Sequence, residues 1–192
     1  MHSRRNRPRK RVARCQPKIN LMTLWDDNDY PLAYLITFRT YGTWLHGDER
    51  GSIDRFHNKF RGPRVPVNPV MEEQHRAKLK SAPVLLDEHQ RPIVKKAIKN
   101  VCTHRGWPLY SINVRTNHAH VVVNTLTAKP ESAMRDFKSY STRALRSANL
   151  WLFDHSPWVD GGSKRYLWKP SSVSAACEYV LYGQGDDLPE SF

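Results

Sequence analysis

The fold turns on the reading of Asn117-His118-Ala119-His120-Val121-Val122-Val123. The valine run reads as a β-strand, and residues i and i+2 of a strand point to the same face. His118 and His120 therefore share a face, and both imidazoles can reach one metal ion. Just upstream, residues 109–115 also read as a strand, with Tyr110, Ile112 and Val114 on one face. Thr116-Asn117 then forms a tight turn that folds the two strands into a hairpin.

Working outward, residues 32–40 are rich in β-branched and aromatic side chains and read as the first strand. Residues 47–90 are polar and punctuated by proline, the pattern of an insertion. One short helix is expected in it, with Asn68 as N-cap, Pro69 at the first helical position and Glu72 and Glu73 in the first turn. A clearer helix covers about 91–105: Ile93, Val94, Ala97, Ile98, Val101 and Cys102 recur at helical spacing, and Gly106 ends it. After the hairpin a helix is expected over 130–148, with an apolar stripe of Ala133, Met134, Phe137, Ala144, Leu145 and Ala148. At 100° per residue, Tyr140 falls at the edge of that stripe, a place where a ring can be anchored while its hydroxyl stays available. A fourth strand at 164–168 and a last helix at about 173–182, capped by Ser171 or Ser172, complete the chain. The order is β, α, β, β, α, β, then an extra helix. That predicts an α+β, ferredoxin-like fold (split βαβ, RRM-like), with an antiparallel sheet, helices on one face, a C-terminal helix and a basic N-terminal tail.

The chain of 192 residues carries a net charge of +13. Residues 1–18 hold eight basic and no acidic residues, and the rest of the chain balances at +5. We read residues 1–20 as a disordered tail and 21–192 as one domain with the insertion at about 47–90. A polyanion is the expected partner. No apolar run suits a secretory signal or a membrane span. Three scattered cysteines, Cys15, Cys102 and Cys177, form no zinc or disulfide pattern, which points to a cytosolic protein.

On residue type alone, a His-x-His pair favours zinc or another transition metal and needs further ligands. Followed by a helix that presents a phenol, it makes a candidate nucleophile site for phosphodiester cleavage. The segments Asn117–Val123 and Met134-Arg135-Asp136-Phe137-Lys138-Ser139-Tyr140-Ser141-Thr142-Arg143 resemble the HUH motif and catalytic-tyrosine helix of the single-tyrosine HUH transposases. That family includes transposases of small insertion sequences and REP-associated tyrosine transposases. Trp168-Lys169-Pro170 and the final helix with Tyr179 look more like the REP-associated branch.

The resemblance implies a single-stranded DNA transposase and endonuclease. His118 and His120 would hold Mg²⁺ or Mn²⁺, and Tyr140 would attack phosphorus to leave a 5′-phosphotyrosine link. It also implies single-stranded or hairpin DNA as partner, no membrane, and a cytoplasmic, nucleoid-associated bacterial setting. Oligomeric state stays open, with monomer favoured over homodimer because of the extra helix. The family's third ligand follows the tyrosine by one helical turn. Here that position is Ala144, which cannot ligate, and Asp136, one turn before Tyr140, is the substitute.

Arg39, Arg115, Lys138, Arg143, Lys164 and Arg165 are candidate phosphate contacts, and Arg4, Arg5, Arg7, Arg9, Lys10 and Arg11 are candidate tail contacts. Trp151, Trp158 and Tyr166 are candidates for stacking on bases, and His46 and Asp48 for approaching the site. The gap at Ala144 keeps a catalytically inactive or domesticated single-stranded or hairpin nucleic-acid-binding module of the same fold as the alternative. A relaxase-type nickase and a zinc hydrolase are further readings. The short chain argues against the first, and the second would need another ligand but no tyrosine.

Overall fold

The computed structural model describes residues 30–49 and 66–185. The tail contacts named above and the centre of the insertion lie outside the described residues. The elements are β1 (Ala33–Arg39), α1 (Pro69–Ala77), α2 (Gln90–Arg105), β2 (Leu109–Val114), β3 (His118–Val123), α3 (Pro130–Ser147), β4 (Ser163–Leu167) and α4 (Pro170–Tyr182). The four strands form one sheet in the order β2-β3-β1-β4, with every neighbouring pair antiparallel. β1 and β2 run parallel with β3 between them, as do β3 and β4 with β1 between them, so two βαβ units interleave. The α+β class read from the sequence holds. No helix among the described residues is long and apolar enough to cross a membrane.

Strand alternation divides the core in two. Ala119, Val121 and Val123 of β3 and Tyr34, Ile36 and Phe38 of β1 face α2 and α3, where they pack with Val94, Ile98, Ala133, Phe137 and Leu145. Val122 of β3 and Ala33 and Leu35 of β1 face the other way and pack under Val173, Ala176, Cys177 and Val180 of α4. The helices therefore cover both faces, α2 and α3 on one and α4 on the other. His118 and His120, in step with Val122, lie on the α4 face.

Local signals set most boundaries. Asn68 caps α1 by accepting from the Met71 amide at 3.0 Å, and Pro69 opens the helix. Gly106 ends α2 at φ 66°, a left-handed conformation in which its amide satisfies the last carbonyls. Two expectations are corrected. α4 begins at Pro170, three residues earlier than read, so Ser171 and Ser172 lie inside its first turn and no side chain caps it. The β2 register shifts between Leu109 and Ser111, and this bulge turns Tyr110 toward the α4 face while Leu109, Ile112 and Val114 stay with the α2–α3 core. Strict alternation from Tyr110 fails because one residue is left unpaired.

Phe137 is fully buried between α3 and the sheet and meets Trp107 edge-on at 6.1 Å. Phe137→Ala should cost about 3–5 kcal/mol of stability through lost burial and the cavity left behind, read as a lowered midpoint in urea denaturation with an unchanged slope.

Candidate active site

The site grows from β3. The rings of His118 and His120 lie with centroids 4.6 Å apart, as a shared strand face requires. Each is oriented from behind through Nδ1. The hydroxyl of Thr37, which pairs with His120 in the β1–β3 register, lies 2.6 Å from His120 Nδ1. Asn117 Oδ1 lies 2.7 Å from His118 Nδ1. With Nδ1–H donating to the hydroxyl or amide oxygen there, Nε2 keeps its lone pair, the tautomer in which a histidine ligates metal.

The other wall comes from α4. Tyr179 is 48% exposed, and its ring lies 5.5 Å from that of His120. One residue past the helix C-cap, the Gln184 amide nitrogen donates to the Tyr179 carbonyl at 3.3 Å. Its Oε1 lies 3.2 Å from His118 Nε2. The Asn113 side chain donates to the Val180 carbonyl at 2.9 Å and ties α4 to β2. Tyr179, Gln184, His118 and His120 thus converge.

The electrostatics keep the imidazoles neutral. Burial is the main cause for both. It pushes His118 below its ordinary value with help from the Arg39 and Arg115 charges, and it pushes His120 down to about 4 with help from His118 and Arg39. Neutral imidazole nitrogens beside an amide oxygen are a donor set that suits a divalent cation with positions left for other oxygens. His118, His120 and Gln184 are the residues that would hold such a cation.

The remaining candidates divide by face. Arg39 pairs with His118 in the β1–β3 register and lies 3.2 Å over the Trp44 ring centroid. Arg115 belongs to the same turn as Asn117 and acts on His118. Arg165, opposite Leu35, points to the α4 face and is exposed. The others are on the α3 face. Tyr140 is 41% exposed under the Arg143 guanidinium, which lies 5.1 Å over its ring. The expectation that its phenol meets the histidines is corrected, because α3 packs on the face of the sheet opposite them. Asp136, expected as the third ligand, instead binds Arg105 of α2 at 2.8 Å. Lys138 donates to the carbonyls of Val159 and Gly161, and burial lowers its pKa. Lys164 pairs with Glu131 at 3.0 Å.

Among the described residues no cluster of three or more His, Cys, Asp or Glu side chains is placed to hold a metal, so an amide is the only protein donor seen beside the two histidines. Trp151 and Trp158 are buried core residues and cannot stack on bases, whereas Tyr166 is exposed. His46 packs edge-on against His75 of α1 at 5.4 Å, and Asp48 is buried. The sequence reading named Tyr179 in the final helix but placed Tyr140 at the site ahead of it, and it missed Gln184 altogether. The available signal was a glutamine shortly after a tyrosine at the end of an amphipathic helix.

A family model described as "Transposase IS200 like" matches residues 77–180, more than half of the chain and all the elements from α2 to α4 apart from the last turn. No curated protein matches. Solved structures similar to the chain include the following two. One, described as a "putative transposase" from Deinococcus radiodurans R1, is 12% identical, with 83% of this chain and 96% of that one covered and a TM-score of 0.42. The other, a REP-associated tyrosine transposase bound to a REP hairpin, is 10% identical, with 83% and 72% covered and a TM-score of 0.41.

The depressed His120 sets a pH window for the metal-free protein. Its value falls from 6.5 to about 4 on folding, so between those values the unfolded chain binds more protons than the folded one. Stability should be full above about pH 6.5 and fall as the pH drops toward about 4. Urea midpoints measured across that range should flatten in His120→Gln.

Proposed function

The chain belongs to the IS200-like transposase family, and from that premise we propose that it is a metal-dependent single-stranded DNA transposase. It cleaves and rejoins DNA through a 5′-phosphotyrosine intermediate, with Tyr179 as nucleophile in place of Tyr140. The observation that carries this is the convergence of Tyr179 and Gln184 with His118 and His120 on the α4 face.

His118 and His120, through Nε2, and Gln184, through Oε1, would hold Mg²⁺ or Mn²⁺. Such an ion, when bound, supplies Lewis-acid stabilisation of charge on a non-bridging phosphate oxygen and favours the ionised phenol. Tyr179 Oη attacks phosphorus, the bond to the 3′ oxygen breaks, and that oxygen takes up a proton to leave a free 3′-hydroxyl. A 3′-hydroxyl attacking the phosphotyrosine link then returns the phenol and restores the phosphodiester without ATP. Arg39 and Arg115, which already bias the histidines toward neutrality, add positive potential where the phosphate would lie. Thr37 and Asn117 position the imidazoles through Nδ1.

The inactive-module reading was favoured by Ala144, one turn after Tyr140. With Tyr179 as nucleophile, the residue to consider is Gln184, whose amide oxygen already faces His118, and that argument for inactivity loses its basis.

An SDS-stable adduct assay tests the reading. Labelled single-stranded oligonucleotides from the DNA flanking the gene would meet the protein with Mn²⁺ or Mg²⁺. The wild type and Tyr140→Phe should form the adduct, and Tyr179→Phe and His118→Ala/His120→Ala should not. Gln184→Ala should lower its yield at least tenfold. An adduct that survives Tyr179→Phe and disappears in Tyr140→Phe overturns the assignment.

A further inference from the structure

The α3 side of the sheet carries features that this chemistry does not use. Along β4, Lys164 and Tyr166 lie opposite Ile36 and Tyr34 and point to the α3 side, and Trp168 follows just past the strand end. Tyr166 packs edge-on against the buried Tyr34, with centroids 5.1 Å apart, and lies nearly parallel to Trp168, at 6.4 Å and 16°. Both remain about half exposed, at 48% and 51%. Two large rings anchored on an edge strand and left in solvent form a stacking surface.

Lys164 links these rings to an open groove of about 580 Å³ between α3 and the segment 154–164. Five cations line it, Arg135, Lys138, Arg143, Arg146 and Lys164, against three carboxylates. Lys138 and Arg146 bind backbone carbonyls, which orient them without neutralising their charge. The groove therefore keeps an excess of positive charge beside the exposed rings.

We infer that this face is a second nucleic-acid track, which takes an unpaired stretch of the DNA strand. Phosphates run along Arg135 and Arg143 in the groove, and bases stack on Tyr166 and Trp168. An unpaired strand fits because its base faces are available to the rings, whereas a duplex keeps them stacked internally. The sheet separates the track from the histidine site, so it holds DNA without touching the reacting phosphate. The inference rests on the transposase reading for the identity of the polymer as DNA.

Fluorescence anisotropy of a labelled 20-mer oligothymidylate, with the full chain and no divalent metal, tests it. Trp168→Ala alone and Tyr166→Ala/Trp168→Ala should each weaken binding about tenfold or more, with less than a twofold change on a 20-base-pair duplex. Arg135→Ala/Arg143→Ala should reduce the slope of log affinity against log salt by roughly 1.4. Affinities within twofold of wild type in all three variants overturn the track, and so does an equal loss on duplex. An adduct with unchanged binding in the track variants sinks only the track. Binding lost in those variants without any adduct from the wild type keeps the track and sinks the catalytic reading.

Discussion

The two-sided burial of β3 constrains everything else in this molecule. The strand lies inside the sheet, between β2 and β1. Its odd-numbered residues belong to the core beneath α2 and α3, while Val122 belongs to the core beneath α4. A slip of one residue would expose both sets at once, so the register is strongly held. That register puts His118 and His120 on the α4 face and sets Thr37 directly behind His120. Whatever completes the site must come from elements that reach this face. α3 does not.

α4 reaches it through two links of different kinds. Val173, Ala176, Cys177 and Val180 bury a short apolar stripe against the sheet, which fixes the helix's position but not its rotation very precisely. The hydrogen bond from Asn113 to the Val180 carbonyl adds a directional constraint. Asn113 pairs with His120 in the β2–β3 register, so the residue that anchors the end of α4 is also the strand neighbour of a site histidine. The helix then ends at Gly183, and Gln184 folds back on the Tyr179 carbonyl with its amide oxygen turned to His118. Ending the helix there is what brings a donor from beyond it to the imidazoles.

The two faces differ electrostatically. On the α4 face, burial and two arginines hold the histidines neutral, which favours ligation over protonation. On the α3 face the charges are spent partly on architecture. Asp136 cross-links α3 to α2, Lys138 ties down the 159–161 segment and Lys164 meets Glu131. Exposed ion pairs of this kind contribute little stability, but Lys138 is shielded from water and its bonds to two carbonyls shape the groove wall.

The sequence alone determined the order of elements, the α+β class, the pairing of His118 with His120 and the helix ends at Asn68 and Gly106, because these rest on period, caps and turns within a few residues of one another. It could not decide which tyrosine meets the histidines. Tyr140 and Tyr179 both sit on amphipathic helices after β3, and a helix's own periodicity shows which stripe it buries but not which side of the sheet receives it. The distinction depends on long-range packing: α3 crosses the α2 face to join β3 to β4, and α4 returns across the other. The partner of Asp136, the bulge that turns Tyr110 and the burial of Trp151 and Trp158 were settled in the same way, by neighbours distant in the chain. Gln184 lay beyond the last periodic residue, where local pattern carries no information about what it touches.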